Sequence, residues 1–209
     1  MKKDYNQEME LQIAALEKPG ASLLLHSCCG PCSTAVIERL AAHFAITIYF
    51  YNPNIHDEAE YYRRLESQVM VLRAFPTAHP VKLIAAAHDP AQFEAVAAGF
   101  EAEPEGGLRC THCFTLRLEE TARLAKEQGF SAFATTLSVS PHKDAERLNQ
   151  IGAALGERVD LPFLYGDFKK KDGYRRSVAL SEQLGLYRQD YCGCRFRPQA
   201  SGHLPGAEI

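Results

Sequence analysis

The sequence predicts an α/β protein with a mostly parallel sheet and helices on both faces. Three observations predict it. Short apolar runs recur at residues 21–26, 44–51, 81–84 and 131–136, and charged segments with apolar residues at helical spacing separate them. Gly, Pro, Asn or Asp punctuates the junctions. Alternating strands and helices require crossover connections, and crossovers make neighbouring strands parallel. With 209 residues the chain suits one domain. A domain of that size removes roughly 70% of its unfolded surface from water and needs no disulfide or metal merely to fold. We expect an N-terminal helical extension over 1–20, a single α/β domain over 21–198, and a flexible tail over 199–209.

Each element has a local reason. Met9, Ile13 and Leu16 lie at helical spacing within Tyr5–Leu16, and Lys18-Pro19-Gly20 stops that pattern. Ala21–His26 is a buried strand entering the tight loop Cys28-Cys29-Gly30-Pro31-Cys32, after which a helix begins near Ser33. Phe44–Tyr51 is rich in Ile, Phe and Tyr and ends at Asn52-Pro53-Asn54, as a second strand does. Asp57–Phe75 carries Tyr61, Leu65, Val69 and Leu72 about one turn apart, and Pro76 closes that helix. Val81–Ile84 is the third strand, and Asp89-Pro90 opens a short helix ending at Gly99. The acidic, Gly-containing stretch Glu101–Gly107 reads as a loop that delivers Cys110 and Cys113 to a helix over Phe114–Gln128. Ser131–Thr136 is a fourth strand, and Ser140-Pro141 opens a helix over Lys143–Leu155. There follow a short apolar piece at Leu161–Tyr165, a basic loop, a helix from Tyr174 to Leu184, and Cys192-Gly193-Cys194. Chemistry in such folds sits at the carboxyl ends of the strands. The Cys loop, the Asn52-Pro53-Asn54 loop and Thr135-Thr136-Leu137-Ser138 all leave strands there.

A formal net charge of −3 argues against a wholly basic nucleic-acid module while permitting a basic face. Phe44–Tyr51 is far too short to cross a bilayer, and Met1–Glu17 lacks the apolar core of a signal peptide. A cytoplasmic location with no membrane partner is the expectation. Seven cysteines in a reducing compartment then point to metal or redox chemistry rather than a disulfide framework.

All seven fall in three tight clusters: Cys28, Cys29 and Cys32; Cys110 and Cys113; Cys192 and Cys194. Scattered burial as small hydrophobes would not cluster them. Cys29-Gly30-Pro31-Cys32 between a strand and a helix has the form of a thioredoxin-like dithiol. That reading leaves Cys28 and both downstream pairs unexplained. Cys29, Cys32, Cys110 and Cys113 form two CxxC pairs, separated far more widely than in a compact zinc ribbon. Four thiolates also suit an iron–sulfur cluster, which is larger than one ion and bridges distant loops, so spacing leaves both metals open. Cys192 and Cys194 are either further ligands or a dithiol that cycles with a disulfide, since Gly193 lets the chain bend between them.

The carboxyl region is locally basic. Between Arg158 and Arg197 nine Lys or Arg stand against five acids, with Tyr174, Tyr187, Tyr191 and Phe196 among them. Cations for phosphates beside rings for bases suit an RNA, and an ordinary solvated face competes with that reading. Arg175, Arg176, Tyr191 and Arg195 are the candidate substrate contacts. His26, His56 and His112 fall near the proposed site, where structural hydrogen bonding competes with function.

Seven segments in order then carry a resemblance. They are His26–Cys32, Tyr49–Asn54, Gly107–Phe114, Leu116–Thr121, Thr135–Asp144, Gly173–Ser177 and Leu186–Arg195, and together they cover about Leu23–Phe196. This pattern resembles the QueH-type, cobalamin-independent epoxyqueuosine reductases. The resemblance implies an adenine-nucleotide hydrolase-like (PP-loop or HUP-like) three-layer sandwich. It implies reduction of epoxyqueuosine to queuosine at the wobble position of tRNA, with electrons from an external donor. It further implies a 4Fe-4S cluster on Cys28, Cys29, Cys110 and Cys113 and a redox-active pair at Cys192 and Cys194. An additional mononuclear iron is implied too, and Cys32, where some members carry an acidic residue, is its candidate ligand. The competing readings are a cluster-dependent PP-loop-like tRNA thiolase and a structural-zinc RNA-binding protein. A nucleotide loop would place glycines where Cys28 and Cys29 stand.

Overall fold

The computed structural model describes residues 3–17, 19–74 and 80–196. The tail expected over 199–209 lies outside the described residues, as do Pro76, Arg197 and Pro198. The elements are α1 (Tyr5–Ala14), β1 (Ala21–His26), α2 (Gly30–Leu40), β2 (Phe44–Phe50), α3 (Glu58–Ala74), β3 (Lys82–Ala85), α4 (Ala91–Ala97), α5 (Leu108–Glu127), β4 (Ala132–Thr135), a 3-10 turn (Leu137–Val139), α6 (Ala145–Val159) and α7 (Gly173–Gln183).

The four strands form one parallel sheet in the order β3-β2-β1-β4. Leu23 of β1 aligns with Ile46 of β2 on one side and Ala132 of β4 on the other. The chain therefore steps outward from β1 to β2 and β3, then returns to add β4 at the opposite edge. That reversal opens a crevice at the carboxyl ends of β1 and β4, the place where open parallel sheets bind ligands. Phe133 and Phe163 make one further parallel bridge, so the apolar piece at 161–165 runs as a rudimentary strand beside β4.

Pleating sends alternate residues to opposite faces. Leu23, Leu25, Ile46 and Ile48 pack with Val36, Ile37 and Leu40 of α2, and with Met9 of α1. Leu24 and Tyr49 face the other way, onto Phe114 and Leu118 of α5 and Leu148 and Leu155 of α6. Both faces are covered, which gives the three-layer α/β sandwich the sequence predicts. The amino-terminal helix is tied in as well: the Gln12 side-chain amide donates to the Phe163 carbonyl (2.8 Å), and its oxygen accepts the Tyr165 N–H (2.9 Å). No helix among the described residues is long and apolar enough to cross a membrane.

Two helix starts differ from the sequence reading. α2 begins at Gly30 rather than Ser33, with Pro31 in its first turn, where a missing N–H costs nothing. α5 begins at Leu108 rather than Phe114, so Cys110 and Cys113 are helical and not carried by a loop. Its start is set from outside the helix: Gly107 is the extended N-cap, and Glu103 Oε2 accepts the Leu108 N–H at 2.9 Å.

Candidate metal and redox centre

Three segments supply the cysteines, and each is pinned by its own contacts. The first leaves β1. Asn52 Nδ2 donates to the Ser27 carbonyl (2.9 Å), Ser27 Oγ donates to Gln68 Oε1 (2.7 Å), and Gln68 Nε2 donates to Ser33 Oγ (3.0 Å). Cys29 is the N-cap of α2, yet its side chain makes no capping hydrogen bond. In the second segment Cys110 Sγ accepts the Gly106 N–H at 3.2 Å. Arg109, 2% exposed, turns back to donate to the carbonyls of Phe100, Glu101 and Glu103, which fixes the acidic loop against α5.

The third segment, Tyr191–Cys194, has no regular structure and is clasped from α3 and the loop after β2. Arg64 donates to the carbonyls of Tyr191 (3.2 Å) and Cys192 (3.3 Å), Asn54 Nδ2 donates to the Cys192 carbonyl (3.0 Å), and the His56 N–H donates to the Gly193 carbonyl (3.1 Å). Gly193 sits at φ +89°, a backbone conformation that favours glycine. A Cβ there would stand 3.0 Å from Ile55 Cγ1.

The first and third segments open onto one cavity of about 370 Å³, walled by Cys28, Cys32 and Cys192 together with Arg64, Arg117 and Lys143. Tyr174, Arg188 and Tyr191 form part of the same wall. All seven thiols are free. The sulfurs of Cys28, Cys29 and Cys32 lie within 4.8 Å of one another, the one such metal-ligating set of three among the described residues, and Cys28 Sγ is 3.7 Å from Cys29 Sγ. The family resemblance groups Cys28 and Cys29 with Cys110 and Cys113. The structure adds Cys32 to the first two and leaves Cys110 and Cys113 outside that tight set. Cys28 and Cys110 pack against the same apolar cluster, and Cys113 and Cys194 share a second with Phe93 and Phe196.

The charges are unequal. Hydrogen bonds from the Cys29 and Cys32 thiols, aided by the Arg117 cation, hold Cys28 well below the ordinary cysteine range. The anion so formed pushes Cys29 up to about 12 and Cys32 well up too. The Cys194 thiol similarly brings Cys192 down to about 5, with Lys143 contributing, while Cys194 rises. Burial raises Cys113. The Cys28–Cys29–Cys32 set and the Cys192–Cys194 pair thus each present one thiolate beside a neighbouring thiol, the state needed for ligation or disulfide exchange.

The candidate substrate contacts separate. Tyr191 is on the cavity wall under the Arg64 guanidinium, which stands 5.0 Å from its ring centroid. The Arg175 side chain is 83% exposed, with only Asp172 3.5 Å away. Arg176 is held bidentately by Glu38 (2.6 and 2.8 Å), and Arg195 pairs with Glu94 (3.0 Å). Tyr174 and Arg188, stacked with 5.4 Å between cation and ring, line the cavity instead. His26 is fully buried between Thr135 and the Tyr51 carbonyl, a structural role. His56 lies 3.4 Å from Glu94, and His112 packs on Phe100. Sequence reading passed over Arg64, Arg117 and Lys143. Only Arg117 left a usable signal, its i,i+4 spacing from Cys113 on one helix face.

Fold and site define an α/β protein whose clustered thiols, set at the sheet's switch point, can hold a metal. The family model described as "Epoxyqueuosine reductase QueH" matches residues 23–200. Curated relatives bearing that name are 40% identical in Staphylococcus epidermidis (95% of this chain, 86% of the relative) and 40% identical in Streptococcus pyogenes serotype M1 (95% and 80%). The Thermotoga maritima relative of the same name is 34% identical over 84% of this chain and 89% of its own length. The chain belongs to the epoxyqueuosine reductase QueH family, a family of oxidoreductases.

Proposed function

We propose that this protein reduces epoxyqueuosine at the tRNA wobble position to queuosine, in the cytoplasm, with an iron–sulfur centre carried by its cysteines. The observation that carries the reading is the close set of the Cys28, Cys29 and Cys32 sulfurs beside a cavity that Cys192 also walls, in a chain of this family. The donor set fits such a group, because it is all sulfur and all free, with a buried cation beside it. Cys28, Cys29, Cys110 and Cys113 would hold a 4Fe-4S cluster, and Cys32 is at hand for an additional iron. When bound, the group supplies electrons singly and a Lewis-acidic metal.

The protein's own residues account for the rest of the balance. Converting an epoxide to an alkene takes up two electrons and two protons and releases water. Cys192 thiolate and Cys194 thiol give two electrons and one proton as they join in a disulfide, and Lys143 on the cavity wall supplies the second proton. An external donor then returns the pair to the dithiol. Tyr174 and Tyr191, each with a guanidinium on its ring, offer faces for an unpaired base, and Arg175 and Arg188 offer charge to its phosphates.

The test is anaerobic incubation of iron-loaded protein and a low-potential reductant with an anticodon stem–loop carrying epoxyqueuosine, followed by nucleoside mass spectrometry. Queuosine forms without ATP in the wild type, and Cys110→Ala abolishes it. A requirement for ATP with sulfur incorporation moves the assignment to a thiolase, and tight RNA binding by a zinc protein without turnover moves it to a binding module.

A further inference from the structure

Arg117 on α5 is 3% exposed and lines the cavity. Its side-chain partners are an amide and an imidazole: NH2 donates to Asn52 Oδ1 at 2.6 Å, and Nε stands 3.2 Å from Nε2 of His26. Among the described residues no carboxylate lies within 4.0 Å of Arg117, and Glu120, one turn along the same helix, is committed to Arg123 at 2.6 Å. A guanidinium is charged at every physiological pH, and a buried charge without a counter-ion is strongly disfavoured. The anion is to be sought at the cysteines: Arg117 and Cys28 wall the same cavity, and Cys113 stands one turn before Arg117 on α5.

We infer that Arg117 is a positioning residue whose fixed cation, anchored on Asn52 and facing His26, is the counter-charge of the thiolate centre and sets how readily that centre accepts an electron. Asn52 aims Arg117 and also holds the Ser27 carbonyl, so one side chain couples the cation to the first cysteine loop. Reduction adds negative charge, which a buried cation favours, so removing the cation makes the centre harder to reduce. The inference rests on the iron-centre reading of the preceding subsection.

The test is the midpoint potential of the iron chromophore in anaerobically loaded wild type, Arg117→Lys and Arg117→Gln, with iron per chain and melting temperature measured alongside. We expect Arg117→Gln to move the reduction equilibrium about tenfold or more towards the oxidised form, about 59 mV lower for one electron. Arg117→Lys, which restores charge but not shape, should stay much closer to wild type. Loss of iron from the Gln variant alone supports the same role. An unchanged potential in a fully loaded Gln variant overturns the inference, as does a Lys variant that shifts, or loses iron, as much as the Gln variant. A merely structural Arg117 would lower the melting temperature of both variants and leave the potential in place. Wild-type protein that binds no iron would instead sink the proposed function.

Discussion

Arg64→Met is expected to release the Cys192–Cys194 segment from the body of the protein and to cost about 3–5 kcal/mol, as breaking a buried ion pair from one side does. Arg64 is 1% exposed, and its Nε donates to Glu60 Oε1 at 2.6 Å. Its two terminal nitrogens hold the Tyr191 and Cys192 carbonyls. Removing it strands the Glu60 carboxylate, which retains only the Tyr187 hydroxyl (2.9 Å). Two effects can be told apart. Adding Glu60→Leu to Arg64→Met removes the stranded charge and should recover most of the lost stability, read as a urea midpoint. It cannot restore the donors to the two carbonyls, so alkylation of Cys192 and Cys194 should stay faster than in wild type. Recovery of both properties in the double variant would mean that Asn54 and His56 suffice as the clasp.

Gly30→Ala is the second large effect, and two principles disagree on its sign. Gly30 is in the first turn of α2, where Ala is favoured over Gly by up to ~1 kcal/mol in a helix interior. An added Cβ would lie 2.4 Å from the Ser67 carbonyl oxygen and 2.8 Å from Ser67 Oγ. That oxygen is α3 backbone and cannot swing aside, so α2 must move off α3. Overpacking of this kind costs about 1–3 kcal/mol, which outweighs the propensity gain. The shift falls on the turn bearing Cys29 and Cys32. Gly30→Ala should therefore lower both the melting temperature and the metal retained per chain, and a variant as stable and as well loaded as wild type would refute the close-approach argument.

The sheet was legible in the sequence because its strands are short apolar runs bounded by turn residues. The position of the Cys28 loop at the carboxyl end of its strand followed from the same alternation, while the switch point needed the strand order. The start of α5 was not. Arg109-Cys110-Thr111-His112-Cys113 has no apolar period, and its helical state is set by Gly107 and by the Glu103 carboxylate five residues before Leu108. The clustering of Cys28, Cys29 and Cys32 was legible, but the closeness of their sulfurs, within 4.8 Å, depends on α2 starting at Gly30. Arg64 and Arg117 were invisible as buried cations. A charged helix reads as solvated, and only the fold shows that α3 turns Glu60 and Arg64 inward or that α5 lays Arg117 on His26 and Asn52.

Iron, zinc and acid-labile sulfide per chain, measured on anaerobically purified protein with its visible spectrum, test most directly whether the first two cysteine segments hold an iron–sulfur centre. The account predicts about four or more irons with matching sulfide and a broad absorbance near ~400 nm. A single zinc without sulfide, or a metal-free protein with a reactive dithiol, would contradict it.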